Sequence, residues 1–358
     1  MSETRGVIID ELNTPIVLAP MAGGPSTPEL TAAVAEAGGL GMLAAGYLSA
    51  PALADRIAAT RERTTAPIGV NLFVPGPRAR PEDYTAYLDE LRGEYEVGEP
   101  TYDTDDWDAK LQLLTDEPVS VVSFTFGCPS AADIARLHTV GSEAWVTVTS
   151  PAEAEQAIAA GADVLVAQGA EAGGHRATFT DHPEDDPTDP LGLLALLQLL
   201  TARTELPVVA AGGICTGAGI AAALAAGAVA AQLGTAFLLC PEAGTNTVVR
   251  AAIGSDTPTM LTRAFTGRRA RGLRNRFLTE HTASAPVAYP EIHYATAPLR
   301  AAARTSGDAD AVNIWAGQTH SLVPNLPAAE LVRTLAAETK TALEQALSRN
   351  LSLSRRNK

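Results

Sequence analysis

ADVLVAQGAEAGGHR, residues 162–176, changes character halfway along. From Val164 to Ala167 it is apolar at successive positions, where a strand with one wet face would alternate. Successive apolar residues suit a parallel strand covered on both faces, so 162–169 reads as a buried strand. The second half replaces side chains with glycine and ends on His175 and Arg176.

Seven further runs share the first half's pattern: 15–20 (PIVLAP), 39–45, 67–73, 119–126, 143–149, 207–213 and 229–238. Helix-like stretches separate them, several opening on Pro or Ser/Thr signals, such as Ser26-Thr27-Pro28, Pro51, Pro81 and Pro151. Eight buried strands alternating with helices predict an α/β chain folded as a (β/α)8 TIM barrel. An open parallel sheet shows the same alternation, and periodicity alone does not close it. Residues 93–108, acidic and turn-rich, predict an exposed excursion between the third and fourth strands. Residues 176–190, rich in Asp, Pro and Thr, are a loop over the barrel mouth; a mobile lid and a plain solvated loop fit it equally. The expected organisation is a barrel over 1–240, a mostly helical appendage over 241–320 that packs on the barrel mouth, and a C-terminal helix (327–348) and tail within 321–358. The appendage holds the basic cluster RRARGLRNRF at 268–277.

The chain has 358 residues, 46% of them hydrophobic, so a large core is available. Its 26 basic and 41 acidic residues give a formal charge of −15. Such a surface repels phosphate backbones and anionic lipid heads, which argues against nucleic-acid and membrane partners. The three cysteines, Cys128, Cys215 and Cys240, have no metal-ligand spacing and fit a reducing compartment. The first fifteen residues lack the apolar core of a signal peptide, so a cytoplasmic location is expected.

Barrel active sites sit at the carboxyl ends of the strands. The first run leads into Ala19, Met21, Ala22 and Gly23, and the third ends near Asn71. The sixth ends at Gln168 and leads to Gly173, Gly174 and His175; the seventh ends at Gly212 and Gly213. The eighth carries Gln232, Leu233, Gly234 and Thr235. Loops after strands seven and eight of this fold commonly bind phosphate, and bare glycine backbone lets an anion approach. Asn71 and Gln168 offer donor and acceptor faces to a heterocycle with alternating N–H and C=O groups. A phosphate site plus two such amides suggests FMN. There is no GxGxxG or Walker A run, and no metal cluster.

With PIVLAPMAGG, GVNLF (69–73), FTFGCP (124–129), QGAEAGGHR (168–176), AAGGI (210–214), AQLGTAFL (231–238) and WAGQ (315–318) in this order, the chain resembles the nitronate monooxygenases, formerly 2-nitropropane dioxygenases. The resemblance implies an FMN-bearing barrel, with Asn71, Gln168, Gly173, Gly213 and Gln232 to Thr235 at the cofactor and His175 as the active-site histidine. It implies oxidation of a nitronate by O2 to a carbonyl compound and nitrite, with no nicotinamide. One departure follows the histidine: the family often continues GGHRG, whereas this chain reads GGHRATF. The competing enzyme reading is an FMN-dependent NAD(P)H reductase of the same superfamily, acting on enoyl-acyl-carrier-protein or quinones. A flavin-binding barrel with no turnover is the non-enzymatic one. Of His281, His293 and His320 in the appendage, at most one is expected to reach the site. Monomer and homodimer are both compatible with the sequence.

Overall fold

The computed structural model describes residues 7–181 and 190–356. Eight strands, β1 (Ile16–Leu18), β2 (Gly41–Ala44), β3 (Ile68–Phe73), β4 (Val121–Thr125), β5 (Glu143–Val148), β6 (Val164–Gln168), β8 (Val208–Ala211) and β9 (Ala230–Leu233), form one sheet in the order β1-β9-β8-β6-β5-β4-β3-β2. All of these pairings are parallel. Leu40, just ahead of β2, bridges Val17 of β1: Leu18 N–H donates to Leu40 O at 2.9 Å and Leu40 N–H to Ile16 O at 3.0 Å. The sheet therefore closes into a barrel.

The strand period of two sorts each run between two cores. Val17, Met42, Val121, Trp145, Val164, Val166 and Val209 fill the lower barrel together with Ile9 from a short N-terminal 3-10 turn. The alternate residues, such as Val122, Phe124, Leu165 and Ala210, pack beneath the outer helices. One further step along the inward row brings Asn71, Thr147, Gln168 and Gln232 to the carboxyl ends of their strands. The barrel is thus dry below and polar at its mouth.

The outer helices are α1 (Pro28–Glu36), α2 (Ala50–Arg61), α3 (Pro81–Arg92), α4 (Trp107–Asp116), α5 (Ala131–Thr139), α6 (Pro151–Ala160), α7 (Leu193–Thr201) and α8 (Gly217–Ala225). Thr27, Ser49, Ser130, Ser150 and Thr216 cap five of them by accepting a first-turn N–H. The 93–108 segment is exposed along most of its length but is not a free excursion. Asp105 is anchored by an ion pair to Lys110, which is 1% exposed.

The appendage contains α9 (Thr247–Ala252), α10 (Arg276–His281), α11 (Glu291–Ala295) and α12 (Ala297–Ser306), and it also contributes a hairpin. Strands β10 (Thr259–Thr262) and β11 (Ala270–Leu273) pair antiparallel, and β11 pairs antiparallel with β7 (Gly174–His175). The middle of the basic cluster is therefore a strand, and Arg268 and Arg271 are buried and donate to backbone carbonyls. The C-terminal helix α13 runs Ala328–Arg356, past the expected end at 348, because no glycine or proline interrupts it. Glu338 of α13 accepts the Gly217 N–H at the start of α8, at 3.0 Å. His182 and most of the predicted lid lie outside the described residues. Its first part is docked: Phe179 N–H donates to Glu153 at 2.8 Å and Asp181 pairs with Arg263 at 3.2 Å.

Candidate active site

A cavity of about 650 Å³ opens at the carboxyl ends of the strands. Every residue expected from the sequence at the cofactor or the active site lines it: Ala19, Met21, Ala22, Gly23, Asn71, Gln168, Gly173, Gly174, His175, Gly212, Gly213, Gln232, Leu233, Gly234 and Thr235. The strand order divides this wall. Glycine-rich ends of β6, β8, β9 and β1 form one sector. Tyr47 after β2, Phe73 at the end of β3 and Phe126 after β4 lie in the other.

His175 is held by main chain from a distant part of the sequence. β7 pairs Gly174 with Arg271 and His175 with Ala270, and Arg176 N–H donates to Arg269 O at 2.8 Å. Gly173 permits the loop to touch the WAGQ segment, since a Cβ there would lie 2.4 Å from Gly317 N. Gly317 N–H in turn donates to Thr235 Oγ1 at 3.0 Å, so the C-terminal segment is tied to both sides of the site. Gln168 serves the same loop. Its Nε2 donates to His175 O at 3.0 Å, and its Oε1 accepts from Ala177 N–H at 2.9 Å and from Arg176 at 3.0 Å. Asn71 Nδ2 donates to Ser123 Oγ and Thr125 Oγ1, both at 3.0 Å.

The His175 ring sits among Phe126, Tyr289 and Trp315, with centroids 5.5, 5.7 and 5.7 Å away. Burial, reinforced by the positive charges of Arg268 and Arg300, lowers its pKa to about 3. The imidazole is therefore neutral at pH 7. Its Nε2 lies 2.9 Å from Thr266 Oγ1, and the Thr266 hydroxyl donates to Arg268 O at 3.1 Å. Thr266 is thus left to accept from Nε2–H, which makes Nδ1 the basic nitrogen.

Tyr289 continues into an aromatic wall that sequence reasoning missed. Tyr47 stacks on His293 at 4.0 Å with 4° between planes, and its hydroxyl oxygen accepts from Tyr289 O–H at 3.1 Å. His293 is the one appendage histidine that lines the cavity; His281 bonds Glu90 and His320 bonds Thr257 O. Arg300 also lines it and is 6% exposed. Its Nε donates to Thr296 Oγ1 at 3.2 Å and its Nη2 to His293 O at 2.5 Å, both neutral acceptors. Arg304 stands one turn further along α12 at the rim. Among the described residues no Asp or Glu lines the cavity, in a chain of charge −15. Segments 289–304 carry no period or motif that marks these residues from sequence; only the aromatic and basic composition of 250–320 hinted at them.

Three buried oxygens in the wall, Gln232 Oε1, Thr245 Oγ1 and Asn313 Oδ1, lack a hydrogen-bond partner. Buried acceptors without partners are costly, so the cavity is built for a ligand that donates to them.

The nitronate monooxygenase family model matches residues 7–338. The nitronate monooxygenase of Pseudomonas aeruginosa is 43% identical over 344 residues, covering 91% of this chain and 96% of that protein. That of Paraburkholderia phytofirmans is 41% identical over 349 residues, covering 93% and 94%. The solved structure of a nitroalkane oxidase from Streptomyces ansochromogenes superposes with a TM-score of 0.92 at 49% identity, covering 96% of this chain and all of that one. FabK from Thermotoga maritima superposes with a TM-score of 0.75 at 27% identity, covering 98% of this chain and 100% of that one. With its motifs gathered on one barrel mouth and the match running nearly end to end, the chain belongs to the nitronate monooxygenase family.

Proposed function

We propose that this chain is a flavin-dependent nitronate monooxygenase that takes an alkyl nitronate, or the parent nitroalkane, and O2 to a carbonyl compound and nitrite. The observation that carries this reading is a cavity free of carboxylates among the described residues, in which a buried arginine and a neutral imidazole face the same space. A nitronate is a delocalised anion. Arg300 answers its charge, and the Tyr47 hydroxyl, whose oxygen already accepts from Tyr289, keeps its own proton for a ligand oxygen. For a neutral nitroalkane, His175 Nδ1 is the base that takes the α-proton. The low pKa of His175 keeps the ring in the neutral form a base needs and speaks against an imidazolium anchor, while it lowers the basicity of Nδ1.

FMN fits the glycine sector. Gly212, Gly213, Gly234 and Thr235 would hold its phosphate, Ala19, Met21, Ala22, Gly23, Gly173 and Gly174 would flank it, and Asn71, Gln232 and Leu233 would meet the ring system. The orphaned Gln232 oxygen matches a donor of the ring edge. Gln168 acts mainly by holding the His175 loop. Bound there, the flavin supplies electron acceptance and reaction with oxygen.

The test is the visible spectrum of the purified protein, followed by oxygen uptake with a freshly prepared nitronate and no NADH. Uptake with nitrite release is expected. Anaerobic bleaching by NADH with no response to nitronate would turn the assignment toward the reductase reading, which the likeness to FabK makes the natural comparison.

A further inference from the structure

The acidic turn within 101–108, TYDTDDWD, has no part in the chemistry above, yet it holds both sides of the aromatic wall. Asp105 and Asp106 both adopt left-handed backbone, at φ 53° and 55°, and so does Tyr47 at 66°. Asp105 Oδ1 accepts the Tyr47 N–H at 2.7 Å, and its Oδ2 pairs with Lys110 Nζ at 2.8 Å. Lys110 is buried and also donates to Ala45 O at 3.0 Å. Asp106 accepts the Ala50 N–H in the first turn of α2 at 2.8 Å. Asp103 accepts the hydroxyl of Tyr294 on α11, next to His293. One short turn thus grips the segment carrying Tyr47 and the helix carrying His293, the two rings that stack face to face.

A tyrosine does not choose left-handed backbone unaided; it persists there when its surroundings over-determine it. Here the fixing contact is a carboxylate on its amide; burial pushes that carboxyl above its usual range, and the buried Lys110 ammonium opposes the shift and holds the group in place. We propose that Asp105, paired with Lys110, is a positioning residue that sets the Tyr47 ring against His293 and so shapes the substrate sector of the cavity. The inference rests on the functional reading for its kinetic consequence, but its structural content stands apart from it. Tyr47 follows β2, three strands round the closed barrel from β8, and its ring and hydroxyl meet His293 and Tyr289 of the appendage, so its displacement acts on substrate fit more than on cofactor hold.

The test compares Asp105→Ala with the parent protein and repeats the comparison in a Tyr47→Ala background. With flavin content unchanged, Asp105→Ala should raise KM for an alkyl nitronate by about tenfold or more while kcat stays within about threefold. In the Tyr47→Ala background the same substitution should leave KM unchanged, because the ring it positions is gone. Amide exchange read by mass spectrometry should quicken over residues 45–49 and not over β4. An equal KM effect in both backgrounds, or unaltered exchange at 45–49, overturns the proposal. If Asp105→Ala does not fold, the double variant Asp105→Ala/Lys110→Met takes its place, since it removes the acceptor of the Tyr47 N–H without leaving the buried ammonium unpaired. The exchange measurement does not depend on turnover, so it decides the positioning role even if the chain oxidises no nitronate.

Discussion

Arg300→Met nearly preserves the length of a buried side chain and removes its charge. The guanidinium is 6% exposed, its Nε and Nη2 end on neutral acceptors of its own helical segment, and no carboxylate pairs with it among the described residues. Burial lowers its pKa to about 10, so it remains a cation at pH 7. That charge is answered only by what enters the cavity. A hydrogen bond to a charged group contributes about 1.5–3 kcal/mol net. At about 1.4 kcal/mol per factor of ten, losing it lowers kcat/KM for a nitronate by about 10- to 150-fold. The assay is initial oxygen uptake against nitronate concentration, normalised to bound flavin. Thermal melting is the companion measurement, because removing a buried cation without a carboxylate partner should hold the melting temperature or raise it. A kcat/KM within about threefold of the parent, together with a lowered melting temperature, would refute the reasoning and leave Arg300 a structural residue.

His175→Asn should retain flavin but slow turnover of a neutral nitroalkane by at least about tenfold, with a smaller effect on the preformed nitronate, which has no α-proton to lose; steady-state rates on the two forms check it. The pH profile follows from the lowered His175 pKa. The neutral base persists as pH falls through the ordinary histidine range and is lost only near 3, so kcat/KM for the nitroalkane should show no inflection of its own near 6.5. An acid limb centred there would show an imidazole that titrates normally. Gly173→Ala would place a Cβ 2.4 Å from Gly317 N and 2.5 Å from Ala316 C, both backbone atoms, at a cost of about 1–3 kcal/mol. It should lower the melting temperature and weaken flavin retention. Gly174→Ala meets nothing within 4 Å and carries only the strain of φ 73°, so it should be the milder of the two.

The barrel was legible because parallel strands covered on both faces leave consecutive apolar runs, and all eight runs mark real strands. Closure was not, since it depends on the Val17–Leu40 bridge, which no periodicity encodes. The glycine sector was legible because glycine at a strand end is conspicuous. Its causes are mixed: at Gly212 and Gly213 a Cβ would meet Ala172 and Glu171, so packing of the neighbouring loop demands glycine there as well as any ligand. The aromatic and basic wall was hidden. Arg300 lies four residues before the exposed Arg304 on an alanine-rich helix, and nothing local tells the buried arginine from the rim one. The role of cluster 268–277 stayed open because sequence does not reveal which carbonyls Arg268 and Arg271 will satisfy. The acidic turn read as solvated because three aspartates in a row of turn residues usually are.

The pairing of β7 with β11 bears on how the protein is made. A ribosome that has delivered residues 1–240 has delivered all eight barrel strands, yet the imidazole's anchoring strand is still ninety-odd positions away in sequence and the WAGQ segment is further still. Translation therefore finishes the vessel well before it finishes the workplace. A chain stopped at the last barrel strand would lack the strand that pairs with Gly174 and His175 and the segment that ties Thr235 to Gly317.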